Sequence, residues 1–421
     1  MARQAALAAL ALLPFHPPPP PTAPQAPTRV LVVDLDDVGY DLLADTPTTT
    51  LDWIAAHGRM FTSFVTAPQC TPTRAMMHLG AYPSHPDVLM GGALLATSSF
   101  EMPTAPLVPL GTLVASAGRT TAKVGKWHLG SRTSLDHPGR CGWQHYAGVI
   151  SNLDGPDERY RRFLKVVNGT TLGVVDRYLT TDETDDAIAC VRAEYDLVSL
   201  SYHAPHRPWH DPPAHLHSVS PLLGNRDRAR AMLQACDREL GRLLREALPR
   251  GYTVLVFCDN GTAMPIGGEK GTVREGGVVV PLWAIGPGVA PGVDDARIGA
   301  VDLYATIAEL LGVPAGGATR GPHSASFARA LAGGPLERRW AYTEKFQLTG
   351  QDPRTSGATW VRAVRGERYK LHASGVAPQF AMALYDLAND PAEANDLLAA
   401  PSLEPAAQAA LDHFRAVMRR L

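Results

Sequence analysis

The stretch RVLVVDLDD, Arg29–Asp37, decides the reading of this chain. An apolar, β-branched run stops abruptly at three carboxylates: Asp34, Asp36 and Asp37. A short run of that kind predicts a buried strand. Three other segments repeat the arrangement. TTAKVG (Thr120–Gly125) runs into Lys126-Trp127-His128. YDLVSLSY (Tyr195–Tyr202) runs into His203-Ala204-Pro205-His206. YTVLVFC (Tyr252–Cys258) runs into Asp259-Asn260-Gly261. Helical patterns at Asp45–Gly58 and Asp227–Leu248 lie between them. Strands alternating with helices predict an α/β fold on a largely parallel sheet. Ligands of such sheets bind in the crevice outside the carboxyl ends of the strands. The four runs therefore deliver paired aspartates, a lysine, three histidines and an Asp-Asn pair to one rim.

The rest of the chain frames that rim. With 421 residues, 45% hydrophobic and 19% charged, it is long enough for one large domain and a smaller one. The net charge of −2 carries no basic excess, which argues against a nucleic-acid partner. Five cysteines without CxxC spacing exclude a zinc site or disulfide framework read from pattern. No apolar run after the N-terminus is long enough for a transmembrane span. Arg3, the apolar run Ala5–Leu13 and a five-proline tract read as a secretory leader and spacer over residues 1–27, predicting a periplasmic or secreted protein. A plain alanine-rich leader on a cytoplasmic protein is the alternative. After Gly333 the texture changes. WAYTEKF, TWVRAVRGERYKLHA and FAMALYDL read as short strands, and Pro405–Leu421 as a final helix with its proline in the first turn. The expected division is a catalytic domain over 28–333 and a smaller α/β subdomain with an antiparallel sheet over 334–421.

Asp36, Asp37, Asp259 and Asn260 make an all-oxygen set, suited to calcium or magnesium rather than zinc or copper. APQCTPTR, Ala67–Arg74, puts Cys70 just ahead of a helical stretch, Thr73–Leu79, with Pro72 in the first turn. A cysteine there lies near the positive end of the helix, with Arg74 one turn on. From these residues alone, Cys70 reads either as a low-pKa nucleophile or as a buried structural thiol.

Cys70-Thr71-Pro72-Thr73-Arg74 resembles the signature of the formylglycine-dependent type I sulfatases. The likeness extends along most of the chain. DLDDVGYD (Asp34–Asp41), the segment Thr46–Arg74, KVGKWHLG (Lys123–Gly130), APHRP (Ala204–Pro208), FCDNGT (Phe257–Thr262), GGEKGTVREGGVVVPL (Gly267–Leu282) and LYDLANDPAEANDL (Leu384–Leu397) each resemble a block of that family. Asp41, where a glycine is usual, and Val279, where an arginine is common, depart from it.

The resemblance implies a large, mixed, mostly parallel sheet flanked by helices, of the alkaline phosphatase type. It implies that Cys70 is oxidised to formylglycine by a formylglycine-generating enzyme, and that the hydrated aldehyde attacks the sulfur of a sulfate ester. It implies Ca²⁺, or Mg²⁺, on Asp36, Asp37, Asp259, Asn260 and residue 70. Lys126 and Lys270 would contact sulfate, Arg74 would hold the hydrate, and His128 would drive sulfate release. His206 would stand on the leaving-group side. His203, three residues before it, reads from its position either as a further substrate contact or as a supporting or surface histidine. The remaining histidines and cysteines read as structural. Other classes stay open: a phosphomonoester, phosphodiester or phosphonate hydrolase on the same scaffold, a non-catalytic binder of sulfated glycans, and a thiolate hydrolase using Cys70.

Overall fold

A computed structural model describes residues 29–95, 98–153, 158–347 and 351–421. The N-terminal leader lies outside them. The segment Arg29–Leu35 is strand β1, buried at every position after Arg29. Burying Val30, Leu31, Val32 and Val33 contributes about 1.5–3 kcal/mol each, an upper figure for a compact unfolded chain. Its neighbours are β7 (Leu197–Ser201) and β8 (Tyr252–Cys258), both parallel to it. Strand β3 (Thr121–Lys126) pairs in parallel with β7 on the far side. The four runs that end in polar residues are thus four adjacent strands, in the order β8-β1-β7-β3.

The sheet widens around this core. On one side β4 (His145–Val149) continues it in parallel, and β5 (Phe163–Val167) and β6 (Thr170–Val175) close it as an antiparallel hairpin. On the other side β9 (Val279–Ile285) is antiparallel to β8 and to β2 (Arg59–Val65), while β10 (Gly292–Asp294) and β11 (Ile298–Gly299) lie parallel along β2. The result is a mixed, mostly parallel sheet of eleven strands. A second sheet of four antiparallel strands follows: β12 (Ala341–Phe346), β13 (Trp360–Arg365), β14 (Tyr369–Val376) and β15 (Gln379–Asp386). Helix Pro405–Arg420 buries Ala407, Leu411, Phe414, Val417 and Met418 against it, a stripe at helical spacing.

The helices differ from expectation at their ends. The stretch expected as one helix over Asp45–Gly58 is helical only over Thr49–His57, after a separate turn at Tyr40–Ala44. Pro47 disfavours the α conformation for the residue before it. The helix then starts where the Asp237 carboxylate accepts from the Thr50 and Leu51 amides at 2.8–3.1 Å. The helix after the cysteine motif starts at Cys70 itself and ends at Gly80, which takes a left-handed φ of 59°. The long helix Asn225–Ala247 matches the expected span within two residues and buries Ala229, Met232, Cys236, Leu240 and Leu243 in one stripe. No helix among the described residues is long and apolar enough to cross a membrane.

Candidate active site

The carboxyl ends of β1, β3, β7 and β8 meet the first turn of helix Cys70–Leu79. Asp36 and Asp37 follow β1, Lys126 closes β3, and Asp259 and Asn260 follow β8. Asp37 and His128 both adopt positive φ, 67° and 55°. Non-glycine residues held there cost of order 1–3 kcal/mol, which marks a site where orientation outweighs comfort. Gly125 lets β3 approach β7, because a Cβ there would meet the Ser201 carbonyl oxygen at 2.1 Å.

The cluster is buried and dense in charge. Lys126 pairs with Asp36, and Lys270 with Asp37. Arg74 Nη2 reaches Asp34 at 2.8 Å, Asp259 at 3.2 Å and Asp36 at 3.4 Å, while its Nη1 donates to the Lys126 carbonyl at 3.3 Å. Asn260 Nδ2 donates to Asp37 at 2.8 Å and to the Gly261 carbonyl at 3.0 Å, leaving Oδ1 turned the other way. Four carboxylates thus face three cations. Three buried oxygens of the cluster, Asp34 Oδ2, Asp36 Oδ1 and Asn260 Oδ1, have no hydrogen-bond partner, although Asp34 Oδ2 stands in ion-pair contact with Arg74. Burial pushes Asp36 up, but Lys126, His206, Lys270 and Arg74 outweigh it and hold the carboxyl well below its usual range. Asp37 and Asp259 are pushed up, by burial first and then by Asp36 despite Lys270. Ligand atoms of Asp36, Cys70 and Asp259 lie within 4.8 Å of one another, as do those of Asp36, Asp37 and His206. Unsatisfied oxygens, carboxyls held short of ionisation and converging hard donors are what a divalent cation relieves.

Each position of the cysteine motif has a partner. Cys70 Sγ stands 3.3 Å from His128 Nδ1. His128 Nε2 lies 3.0 Å from the Leu94 carbonyl, so its proton belongs there and Nδ1 faces Cys70 as a base. Thr71 Oγ1 donates to the His128 carbonyl at 3.3 Å and accepts from the Leu94 amide at 3.0 Å. Thr73 Oγ1 accepts from the Ala67 amide at 3.0 Å, tying the helix back to its approach. Pro72 occupies the third helical position, where no amide is needed. Burial raises the Cys70 thiol against the pull of Lys126 and Lys270. Burial therefore speaks against a low-pKa thiolate at Cys70.

The two histidines after β7 divide. His206 Nδ1 donates to the Arg207 carbonyl at 2.8 Å, and its ring lies beside Asp36 and Asp37. Of the two readings of His203, geometry favours the supporting one over the substrate contact. Its Nδ1 meets Glu183 Oε1 at 2.6 Å and its Nε2 meets the Ser151 carbonyl at 3.1 Å, so no ring nitrogen is left. Burial pushes Glu183 well up and His203 down to about 3, so a neutral carboxyl donates to a neutral imidazole. The cluster reaches solvent at Lys270, whose side chain is 16% exposed. A cleft begins at the next residue and is lined by Gly271, Val273, Lys345, Phe346 and Val361.

Three of the other histidines serve packing. His78 sits edge-on to Trp127 and Trp143, His137 accepts from the Trp127 indole at 2.9 Å, and His210 stacks on Tyr160. All five cysteines are buried and unpaired. Of the two departures from the family pattern, Asp41 accepts from Thr262 Oγ1 at 2.6 Å beside the Asn260 loop, and Val279 opens β9.

The chain belongs to the sulfatase family: the family model described as Sulfatase matches residues 29–313. Human arylsulfatase A is 28% identical over 444 residues, spanning 88% of this chain and 83% of that protein. N-acetylgalactosamine-6-sulfatase of Sus scrofa is 30% identical over 328 residues, spanning 68% of this chain and 62% of that protein. Among solved structures, Ps i-CgsB superposes with a TM-score of 0.76 at 22% identity, over 93% of this chain and 92% of that one. BT4656, in complex with its substrate D-glucosamine-2-N,6-O-disulfate, gives 0.72 at 17% identity over 94% and 97%. At those identities the likeness is one of fold. The type I sulfatase class makes the chain a sulfuric ester hydrolase.

Sequence pattern alone left four residues of the site's surroundings without a role: Asp34, Lys123, Glu183 and Thr71. Asp34 was visible beside its neighbours, and strand alternation puts it on the same face as Asp36. Glu183 carried no signal, because it lies on a helix far from the strand ends in sequence.

Proposed function

We propose that the chain hydrolyses sulfate monoesters through a formylglycine made from Cys70, with a divalent cation, Ca²⁺ in first place, held by Asp36, Asp37, Asp259 and Asn260. The observation that carries this reading is the pairing of Cys70 Sγ with an unprotonated His128 Nδ1 beside the partnerless buried oxygens of Asp36 and Asn260. When bound, the cation supplies Lewis-acid polarisation of a sulfate oxygen and orients the nucleophile. The hydrated aldehyde supplies one hydroxyl to attack sulfur and a second whose deprotonation lets sulfate leave.

The chain's own residues do the rest. Lys126 and Lys270 now neutralise Asp36 and Asp37, the carboxylates a cation would take over, and their charge then serves sulfate oxygens. Arg74 holds the hydrate, anchored on the Lys126 carbonyl. His128 takes the proton of the second hydroxyl on Nδ1, its orientation set by Leu94 and Thr71. His206 and Lys270 flank the departing alcohol, whose body enters the cleft lined by Gly271, Val273, Phe346 and Val361. Relatives named for aryl sulfate and N-acetylgalactosamine-6-sulfate put aryl and sugar sulfates first among candidate substrates. The basic-then-apolar leader supports export to the periplasm or medium.

The test is peptide mass spectrometry across Ala67–Arg74 on protein co-produced with a formylglycine-generating enzyme. Replacing SH and one hydrogen by a carbonyl oxygen lowers the mass by about 18 Da. With the shift present, matched aryl sulfate, phosphate monoester and phosphodiester assays should favour sulfate, and Cys70→Ala should abolish turnover with an unchanged melt. An unmodified Cys70 beside a modified control peptide, or a dominant diesterase rate, overturns the proposal.

A further inference from the structure

Behind the acidic cluster lies a second buried polar chain that the chemistry above does not use. Asp34 of β1 is the register partner of Ser201 of β7, and Lys123 of β3 is the partner of Ser199. Their side chains share one face of the sheet. Lys123 Nζ donates to Ser199 Oγ at 3.2 Å and to Ser201 Oγ, and the Ser201 hydroxyl donates to Asp34 Oδ1. Asp34 Oδ2 meets Arg74 Nη2 at 2.8 Å, the shortest of the three carboxylate contacts to that guanidinium. Asp34 and Ser201 are 0% exposed, Lys123 1%, Ser199 2% and Arg74 3%.

A buried lysine without a carboxylate in contact is costly, and hydroxyls alone compensate it poorly. Burial pulls Lys123 down to about 7, and its one route to a carboxylate runs through a single hydroxyl. Of the three carboxylates touching Arg74, Asp36 and Asp259 belong to the oxygen set that faces a cation. Asp34 does not: its Oδ1 accepts from Ser201, and its Oδ2 is left to the ion pair with Arg74.

We infer that Asp34, held by Ser201 and Lys123, is a positioning residue that fixes the Arg74 guanidinium for the sulfatase reaction. The inference rests on the proposed role of Arg74. Its distinguishing readout is structural, so it does not depend on turnover.

The experiment takes Asp34→Asn, Ser201→Ala and the double variant, each with formylglycine content measured. Losing one buried charged contact corresponds to roughly 10- to 100-fold in rate. Asp34→Asn should therefore lower kcat by about that factor, with KM moved less than about threefold. Ser201→Ala should lower kcat less, and the double variant should match Asp34→Asn, since both changes cut one chain. Crystal structures of the variants should show Arg74 displaced from the Lys126 carbonyl. Arg74 unmoved in Asp34→Asn overturns the inference whether or not the protein turns over sulfate esters. Multiplying effects in the double variant, or a loss confined to KM, also overturn it. Should Asp34→Asn fail to fold, Ser201→Ala carries both readouts alone. Should the wild-type chain prove inactive on every sulfate ester, the proposed function falls and the crystallographic result still decides this one.

Discussion

Two of the clusters of carboxylates and cations among the described residues are built differently. At the rim of the large sheet, Asp36, Asp37 and Asp259 crowd Lys126, Lys270 and Arg74, yet Asp36 Oδ1 and Asn260 Oδ1 stay partnerless. At the seam with the small sheet, Glu275 pairs with Arg365 and Lys370 at 2.8 and 2.9 Å. Glu393 pairs with Lys370 at 3.0 Å, with His372 at 2.9 Å and with the Glu275 amide at 2.8 Å. None of that seam's carboxylate oxygens is orphaned among the described residues. Carboxyls at the rim are pushed in opposite directions. Those at the seam are both pulled down, Glu393 to about 2, because His372 and Lys370 overcome the cost of burial. A closed cluster is finished by the fold. An open one leaves oxygens for the cation proposed above.

The seam still matters to the rim. Glu393 sits in the C-terminal motif and grips Glu275, five residues beyond Lys270, while Lys345 of β12 donates to the Gly271 carbonyl at 2.9 Å. The small sheet thereby holds the loop that carries a proposed sulfate contact.

The contrast breaks most plainly under chelation. Stripping divalent ions with EDTA should cut turnover of the formylglycine-bearing enzyme by about a thousandfold, and Ca²⁺ should restore it, since a metal supplies several kcal/mol of charge stabilisation. Full activity after exhaustive chelation would close the rim as a metal site.

The seam should answer to acid instead. Glu393 has a lowered folded-state pKa, so its contribution is complete above about pH 4.5 and is lost as pH falls toward 2. The shift corresponds to about 3 kcal/mol at neutral pH. Glu393→Gln should lose about that much in denaturant titration and should flatten the acid limb of the stability curve. An unchanged acid limb removes Glu393 from the ledger.

The smallest effect belongs to Glu183. Its carboxyl is neutral against His203, so Glu183→Gln keeps charge, shape and a donor to Nδ1. Stability should move by less than about 1 kcal/mol. A loss near that of Glu393→Gln would mean that Glu183 is ionised and His203 is an imidazolium.

Much of this was legible along the chain. The four strands announced themselves because a strand buried on both faces is predominantly apolar, so the polar cluster at its end stands out. Asp36, Asp37, Lys126, His206, Asp259 and Asn260 all follow that rule, and Cys70 came with its helix and proline. The antiparallel small sheet was visible in the alternation after Trp340. The flanking strands β2 and β9 were not, since nothing in a short apolar run says which neighbour it pairs with or in which direction. The helix boundary at Thr49 escaped because its cap, Asp237, comes from a helix nearly two hundred residues away.

His203 marks the same limit. A histidine three residues from another reads as a second site residue, and only the position of Glu183 and Ser151 shows that both its nitrogens are occupied. What sequence by itself determined is the chemical inventory: which strands end in carboxylates, where the cysteine meets a helix start, and so the fold class and family. What tertiary structure alone decided is which of those groups stay open. Hydrogen-bond satisfaction depends on partners brought together from distant segments, and that is why Asp36 Oδ1 remains free while His203 does not.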